Sequence, residues 1–200
     1  MTRRTWTRRG AVRLGAAAAA SLLVAAGGLR LAARPLALTP SSADDEELTP
    51  PQTEGPYFKP DSPERTSLVD SGMSGARLLV SGRVLAPDGQ PVGRALLDFW
   101  QADDRGAYDN AGYTLRGQQL TDDDGRYQVE TILPGLYPGR TRHIHVKVQA
   151  PNGPVLTTQL YFPGEARNTS DSIFDPRLVL PIQDTAEGPV ASFDFVIRIS

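Results

Sequence analysis

Short runs with a two-residue repeat, each cut off by Pro, Asp, Asn or Gly, limit this chain to a β architecture. Alternation over four to eight residues places every second side chain on one face, the signature of a half-buried strand, and no stretch of comparable length shows a helical period. The first run, residues 77–86, stops at Pro87-Asp88-Gly89-Gln90, and the next covers 95–101. Asp122-Asp123-Asp124-Gly125 precedes a run at 127–131, and Pro151-Asn152-Gly153 joins a run at 142–149 to one at 155–162. The last, 193–199, puts Phe193, Phe195, Ile197 and Ile199 on one face. Segment 165–186 is expected to be loop with one helical turn. Short strands separated by strong turns predict an antiparallel β-sandwich over residues 76–200. Residues 39–75, rich in Pro, Ser, Asp and Glu, predict an extended N-terminal arm, in which Tyr57 and Phe58 beside Gly55-Pro56 mark a stretch that packs on something.

Residues 1–38 have a different character. They carry seven arginines (Arg3, Arg4, Arg8, Arg9, Arg13, Arg30, Arg34), no acid, and an uncharged Ala/Leu-rich run from Leu14 to Leu29. A charged n-region before a short apolar h-region is the pattern of an export signal, so the expected address is extracytoplasmic. Arg8-Arg9-Gly10-Ala11-Val12-Arg13 fits a degenerate twin-arginine signal, while an ordinary secretory signal explains the same residues. No A-x-A site follows, so an uncleaved leader serving as a membrane tether is a second expectation. Taking the seven leader arginines from 21 basic residues leaves 14 against 23 acidic ones, a net charge of −9. So acidic a body argues against a nucleic-acid partner. Cysteine is absent, which excludes disulfides, thiolate ligands and a cysteine nucleophile.

The chain's two histidines are His143 and His145, and on a strand they share one face with Lys147 while Ile144, Val146 and Val148 take the other. Cα atoms at i and i+2 lie roughly 6.5–7 Å apart, close enough for both imidazoles to reach one metal ion. A pair of surface or hydrogen-bonded histidines is the plainer reading. Tyr108 stands in the polar loop after the 95–101 run, and Tyr137 in Pro134-Gly135-Leu136-Tyr137-Pro138-Gly139-Arg140. Each tyrosine taken alone reads as a packing residue. Together with the histidines they read as hard anionic oxygen ligands for a highly charged ion, which would lower a phenol pKa from its ordinary value near ~10.

From Thr53 to the last strand the sequence resembles the intradiol ring-cleavage dioxygenases, the family of catechol and protocatechuate 3,4-dioxygenases. The resemblance rests on Thr53-Glu54-Gly55-Pro56, Asp98-Phe99-Trp100-Gln101-Ala102-Asp103, the Tyr108 loop, Thr121-Asp122-Asp123-Asp124-Gly125-Arg126-Tyr127 and Pro134-Gly135-Leu136-Tyr137-Pro138. It continues through Arg140-Thr141-Arg142-His143-Ile144-His145 and Gln159-Leu160-Tyr161-Phe162-Pro163-Gly164. It implies a transthyretin/immunoglobulin-like sandwich and one Fe(3+) per chain, with Tyr137 and His145 as axial ligands and Tyr108 and His143 as equatorial ones. It further implies that a catechol-type diol binds as a dianion and displaces Tyr137, whose freed phenolate takes a substrate proton. With dioxygen the ring then opens between the hydroxylated carbons to a cis,cis-muconate. Arg140 would stabilise negative charge developing on the substrate, and Thr53, Gly55, Pro56, Gln159 and Tyr161 would border it. Arg142 is expected to be a bystander, and Tyr57 and Trp100 to be packing residues.

The sequence also departs from that family. Gly139 stands where protocatechuate enzymes carry a tryptophan, so a wider or differently lined pocket is expected. The helical dimerisation region of catechol dioxygenases has no counterpart, which leaves the oligomeric state open, and an export leader is unusual. A non-catalytic β-sandwich binding module of the transthyretin or carboxypeptidase-regulatory type fits the strand and turn pattern equally well, but has no need of two loop tyrosines with a His-x-His. A zinc hydrolase would want a carboxylate-bearing motif such as HExxH, which is missing.

Overall fold

The computed structural model describes residues 47–199; the leader expected over 1–38 and the start of the arm, 39–46, lie outside the described residues. The strands follow in chain order as β1 (Arg77–Leu85), β2 (Leu96–Trp100), β3 (Arg116–Leu120), β4 (Arg126–Ile132), β5 (His143–Gln149), β6 (Val155–Tyr161), β7 (Ile182–Thr185), β8 (Gly188–Ser192) and β9 (Phe195–Val196). The three turns named from the sequence, at 87–90, 122–125 and 151–153, each lie between two strands, whereas β3 and β8 are strands that its alternation did not mark. Asp122 Oδ1, for example, accepts from the N–H groups of Asp124 (3.0 Å) and Arg126 (2.7 Å) to fold the chain back into β4.

One sheet has the order β4-β1-β8-β7 with β9 added beside β1, and the other runs β3-β2-β5-β6. Their inner faces meet in a single core. Val80, Val84 and Val129 come from the first sheet, and Leu97, Phe99, Ile144, Val146, Val148 and Leu160 from the second. Each such side chain contributes about 1.5–3 kcal/mol on burial. The predicted sandwich is thus observed, with one addition: β1 pairs antiparallel with β4 but parallel with β8 and β9.

That addition comes with a shorter final strand than the one expected over 193–199. The ladder beside β1 breaks at Phe193 and Asp194. The Phe193 carbonyl lies where a Cβ at Gly82 would be, 1.9 Å away, and the Tyr127 hydroxyl donates to it at 2.8 Å. Asp194 Oδ1 then takes the Arg83 N–H at 2.7 Å in place of a backbone acceptor. Phe195 and Ile197 still enter the core, but Ile199 is exposed. Segment 165–186 contains two 3-10 turns, Ala166–Thr169 and Pro176–Leu178, and its end is strand β7 rather than loop.

The arm does more than its composition predicts. Residues 63–68 stitch the open edge of one sheet to the open edge of the other. Arg65 N donates to Gln118 O in β3 (2.9 Å) and Gln118 N to Pro63 O (2.9 Å), while Leu68 N donates to Glu130 O in β4 (2.8 Å) and Glu130 N to Thr66 O (2.8 Å). Two exposed edges are satisfied at once. Upstream, Gln52 N donates to Thr157 O (2.8 Å) and Thr158 Oγ1 to Pro50 O (2.7 Å), so the arm crosses the outer face of the β3-β2-β5-β6 sheet. Lys147 holds it there, paired with Glu54 and lying 3.7 Å from the centre of the Phe58 ring.

Candidate metal centre

β5 turns Ile144, Val146 and Val148 into the core and therefore turns His143 and His145 outward. Outward is not exposed, because the arm covers this face: the two histidines are 4% and 3% exposed, which removes the surface-pair reading. Trp100, opposite His145 on β2, stacks on its ring at 4.7 Å and 6°, and Phe58 closes over Trp100 from the arm. Trp100 is the packing residue it was expected to be, and it fixes the plane of His145.

Two loops bring the tyrosines over the histidines. The loop after β2 carries Tyr108 and the loop after β4 carries Tyr137, and they touch backbone to backbone. Gly135 N donates to Asp103 O at 2.6 Å, a Cβ at Gly135 would lie 2.3 Å from Gly106 N, and a Cβ at Gly106 would lie 2.3 Å from Leu136 O. Only a pair of glycines allows this approach. The Tyr108 loop is also held from within. The Asp109 carboxylate accepts the N–H groups of Ala111 (2.9 Å), Gly112 (2.7 Å) and Thr114 (2.9 Å), and buried Arg116 donates through Nε (3.2 Å) and Nη2 (3.1 Å) to the Asp109 carbonyl.

Three donor atoms converge as a result. His143 Nε2 lies 3.1 Å from His145 Nε2 and 3.3 Å from Tyr108 Oη. The Tyr137 ring stands edge-on to Tyr108 at 5.9 Å, and its hydroxyl is 2.9 Å from that of Tyr57. Tyr57 also stacks on Tyr108 at 4.4 Å. The expectation that Tyr57 merely packs is therefore corrected: its ring lies in the site and its hydroxyl engages a proposed ligand. Only the arm's path across β5 brings it there, which no local pattern announces.

The chemistry of these donors suits a cation. His143 Nδ1 is 2.7 Å from the Thr141 carbonyl and must donate to it, which leaves the Nε2 lone pair aimed at His145. His145 Nδ1 is buried with no partner, so its ring orientation comes from stacking and from whatever its Nε2 binds. Burial lowers His143 to about 4 and holds His145 well below its ordinary value, so both imidazoles are neutral at pH 7. Burial also pushes the Tyr108 phenol well above its ordinary range, a direction that only a strong local positive charge would reverse. Among the described residues no group of three or more His, Cys, Asp and Glu converges, so the donor set is imidazole and phenol.

Arg140 sits beside this cluster under two restraints. Its Nε donates to Asp171 Oδ2 at 2.8 Å, and its Nη2 to Gln159 Oε1 at 2.7 Å. Gln159 is fully buried and passes the contact on, donating to the Thr53 carbonyl at 2.8 Å. The Tyr161 hydroxyl donates to Ile173 O at 3.0 Å and lies 3.1 Å from Gln159 Oε1. Gln159 and Tyr161 thus stand behind Arg140. Gly55 approaches the donor cluster directly, since a Cβ there would lie 3.5 Å from His145 Cε1. Thr53 Oγ1 accepts the Gly55 N–H at 3.2 Å and shapes that turn, while Pro56 is exposed. A side chain at Gly139 would begin in open space, with nothing within 4 Å. Arg142 pairs with Glu165 at 2.7 Å and donates to the Pro134 carbonyl, a structural brace. Asp171 was not visible as a site residue, because nothing local marks it in a polar loop.

The sequence model of the family described as Dioxygenase matches residues 53–199. Among solved structures, the dioxygenase domain of a dioxygenase carbohydrate-binding protein fusion from the cellulolytic bacterium Streptomyces sp. SirexAA-E is 58% identical with a TM-score of 0.75, covering 77% of this chain and 100% of that one. The 3-chlorocatechol 1,2-dioxygenase of Rhodococcus opacus 1CP is 29% identical with a TM-score of 0.72, covering 79% of this chain and 75% of that one. Hydroxyquinol 1,2-dioxygenase of Rhizobium sp. (strain MTP-10005) is 32% identical over 146 residues, 60% of this chain and 50% of the relative. The chain spans about half to two thirds of the length of the curated relatives it matches. With the sandwich and the two-His, two-Tyr cluster in place, these matches show that the chain belongs to the intradiol dioxygenase family.

Proposed function

We propose that this protein is a non-haem ferric dioxygenase that cleaves catechol-type aromatic diols between their hydroxylated carbons, giving cis,cis-muconate-type products. The observation that carries the reading is the convergence of His145 Nε2 and Tyr108 Oη on His143 Nε2, at 3.1 and 3.3 Å, with Tyr137 alongside. A non-catalytic sandwich module has no use for such a cluster under a covering arm. Tyr108, Tyr137, His143 and His145 would hold one Fe(3+). The chemistry supplied by that ion when bound is withdrawal of electron density from a chelated catecholate, which makes a ring carbon reactive toward dioxygen.

The chain's own residues have separable tasks. Tyr137 Oη is the base for a substrate hydroxyl. The Tyr137 hydroxyl lies 2.9 Å from that of Tyr57, whose phenol is held above its ordinary range by their hydrogen bond and by desolvation. Tyr108 and the two imidazoles stay fixed, by the Asp109 loop, by Thr141 and by Trp100 respectively. Arg140 brings a fixed positive charge to the oxygens of the substrate as they gain negative charge, a kind of preorganised donor that supplies about 3–4 kcal/mol in acyl-transfer sites. The extracytoplasmic address belongs to the same proposal, and its support is the arginine-rich leader.

The deciding experiment is metal analysis of protein purified without added metal, followed by catechol turnover with product identification. Iron near one per chain, a visible tyrosinate-to-iron charge-transfer band and a muconate product are expected. Stoichiometric zinc without the band, or a ring opened outside the diol, would reject the reading.

A further inference from the structure

Arg140 is oriented by a residue outside the motifs that mark the site. Its Nε–H and the Thr141 backbone N–H both end on one oxygen, Oδ2 of Asp171, at 2.8 and 2.9 Å. The other oxygen, Oδ1, accepts the Ile173 N–H at 3.2 Å. The Asp171 side chain is 2% exposed whereas that of Arg140 is 20% exposed, so the carboxylate is the buried, fixed partner and the guanidinium the one that must be steered. Thr141 also connects this bond to the metal-facing side, since its carbonyl takes the Nδ1–H of His143 at 2.7 Å. With Asp171 on Nε and Gln159 on Nη2, the guanidinium plane is set by two contacts.

We propose that Asp171 is the positioning residue for Arg140: by receiving Arg140 Nε and Thr141 N on a single buried oxygen, it ties the guanidinium to the start of β5 and holds its charge over the donor cluster. The proposal rests on the catalytic role of Arg140 given above. A displacement of about 1 Å in such a group can lower turnover by roughly a hundredfold, so losing the tether should recover much of the effect of losing the arginine.

A double-mutant cycle with the iron-loaded protein separates positioning from general stability. Asp171→Ala should lower kcat by roughly ten- to a hundredfold, and Asp171→Ala/Arg140→Ala should be no slower than Arg140→Ala. Asp171→Asn keeps an oxygen for both donors but loses the Ile173 bond and the negative charge paired with Arg140, so it should lie between wild type and Asp171→Ala and serves if the alanine variant folds poorly. The second readout needs no turnover: in metal-free protein the Arg140 Nε–H should give a slowly exchanging NMR signal in wild type and Asp171→Asn and a fast-exchanging one in Asp171→Ala. Multiplying defects in the double variant, or an unchanged Nε–H signal in Asp171→Ala, overturns the positioning role. If Arg140→Ala alone turns over at the wild-type rate, it is the catalytic reading of Arg140 that fails, which the NMR readout distinguishes.

Discussion

Asp109→Ala should loosen Tyr108, one of the proposed ligands, without removing any of the proposed ligands themselves. The Asp109 carboxylate takes three backbone N–H groups at 2.7–2.9 Å, from Ala111, Gly112 and Thr114, and these are the bonds that close the loop immediately after Tyr108. A hydrogen bond to a charged acceptor contributes about 1.5–3 kcal/mol when protected, and about half to one when water can replace it. Ala111 is exposed while Gly112 and Thr114 are half-buried, so a total of about 2–3 kcal/mol is reasonable for the three. A domain with ~5–15 kcal/mol of stability survives that loss. The open form of the loop should become roughly 30- to 140-fold more populated, at a factor of ten per ~1.4 kcal/mol. If iron needs the closed loop, its affinity falls by up to the same factor.

Hydrogen exchange at Ala111, Gly112 and Thr114, followed by chelator competition for iron, measures both halves of the argument. Faster exchange with unchanged metal affinity would show that this loop does not govern Tyr108, and unchanged exchange would refute the hydrogen-bond assignment itself. Acid provides an independent check of sign. The three N–H groups hold the Asp109 carboxyl well below the usual carboxylate range. A depressed folded-state pKa adds stability that is present in full above the unfolded value near ~4 and is lost as pH falls through the folded value. Wild type should therefore lose stability below about pH 4 more steeply than Asp109→Asn, which has no proton to take up there.

His143→Ala and His145→Ala should each lower iron content and ring cleavage together, and normal iron with normal turnover in both would exclude them as ligands. Tyr137→Phe should retain some iron while losing much of its charge-transfer colour and its turnover. Tyr57→Phe should keep the colour yet slow the step in which Tyr137 takes the substrate proton, seen as a weaker single-turnover rate at unchanged iron content. A reporter fused after residue 40 should appear outside the cytoplasm, and changing Arg8-Arg9 to Lys-Lys should block this if the twin-arginine route is used; a reporter retained inside with an intact N-terminus removes the extracytoplasmic address.

Much of the site could be read from the sequence because its key step is local. Two histidines at i and i+2 on an alternating strand must share a face, and that face is the one opposite Ile144, Val146 and Val148. What could not be read is everything that reaches the site from far along the chain. Tyr57 arrives on the arm, and Asp171 arrives on a loop that the alternation pattern leaves blank. The burial of His143 and His145 was hidden for the same reason, since it depends on Glu54 and Phe58 being held by Lys147.

Strand β3 shows how such a long-range dependence erases a local signal. Its sequence, Arg116-Gly117-Gln118-Gln119-Leu120, lacks the inward apolar residues that mark a strand, although it pairs fully with β2. Gly117 lies opposite Phe99, and a Cβ at Gly117 would lie 2.6 Å from Cδ2 of Leu68, whose side chain is buried in the core. The apolar group that β3 does not carry is thus supplied from the arm, and glycine is the residue that leaves room for it. The segment that fills this gap is continuous with the one that crosses β5, so the arm completes the core at Leu68 and walls the histidine–tyrosine cluster at Tyr57. Packing at the β3 edge and the hydrogen bond on Tyr137 are therefore joined by a dozen residues of one chain segment, which makes the edge of the sandwich a place from which the proposed ligand set can be disturbed without altering any of its four residues.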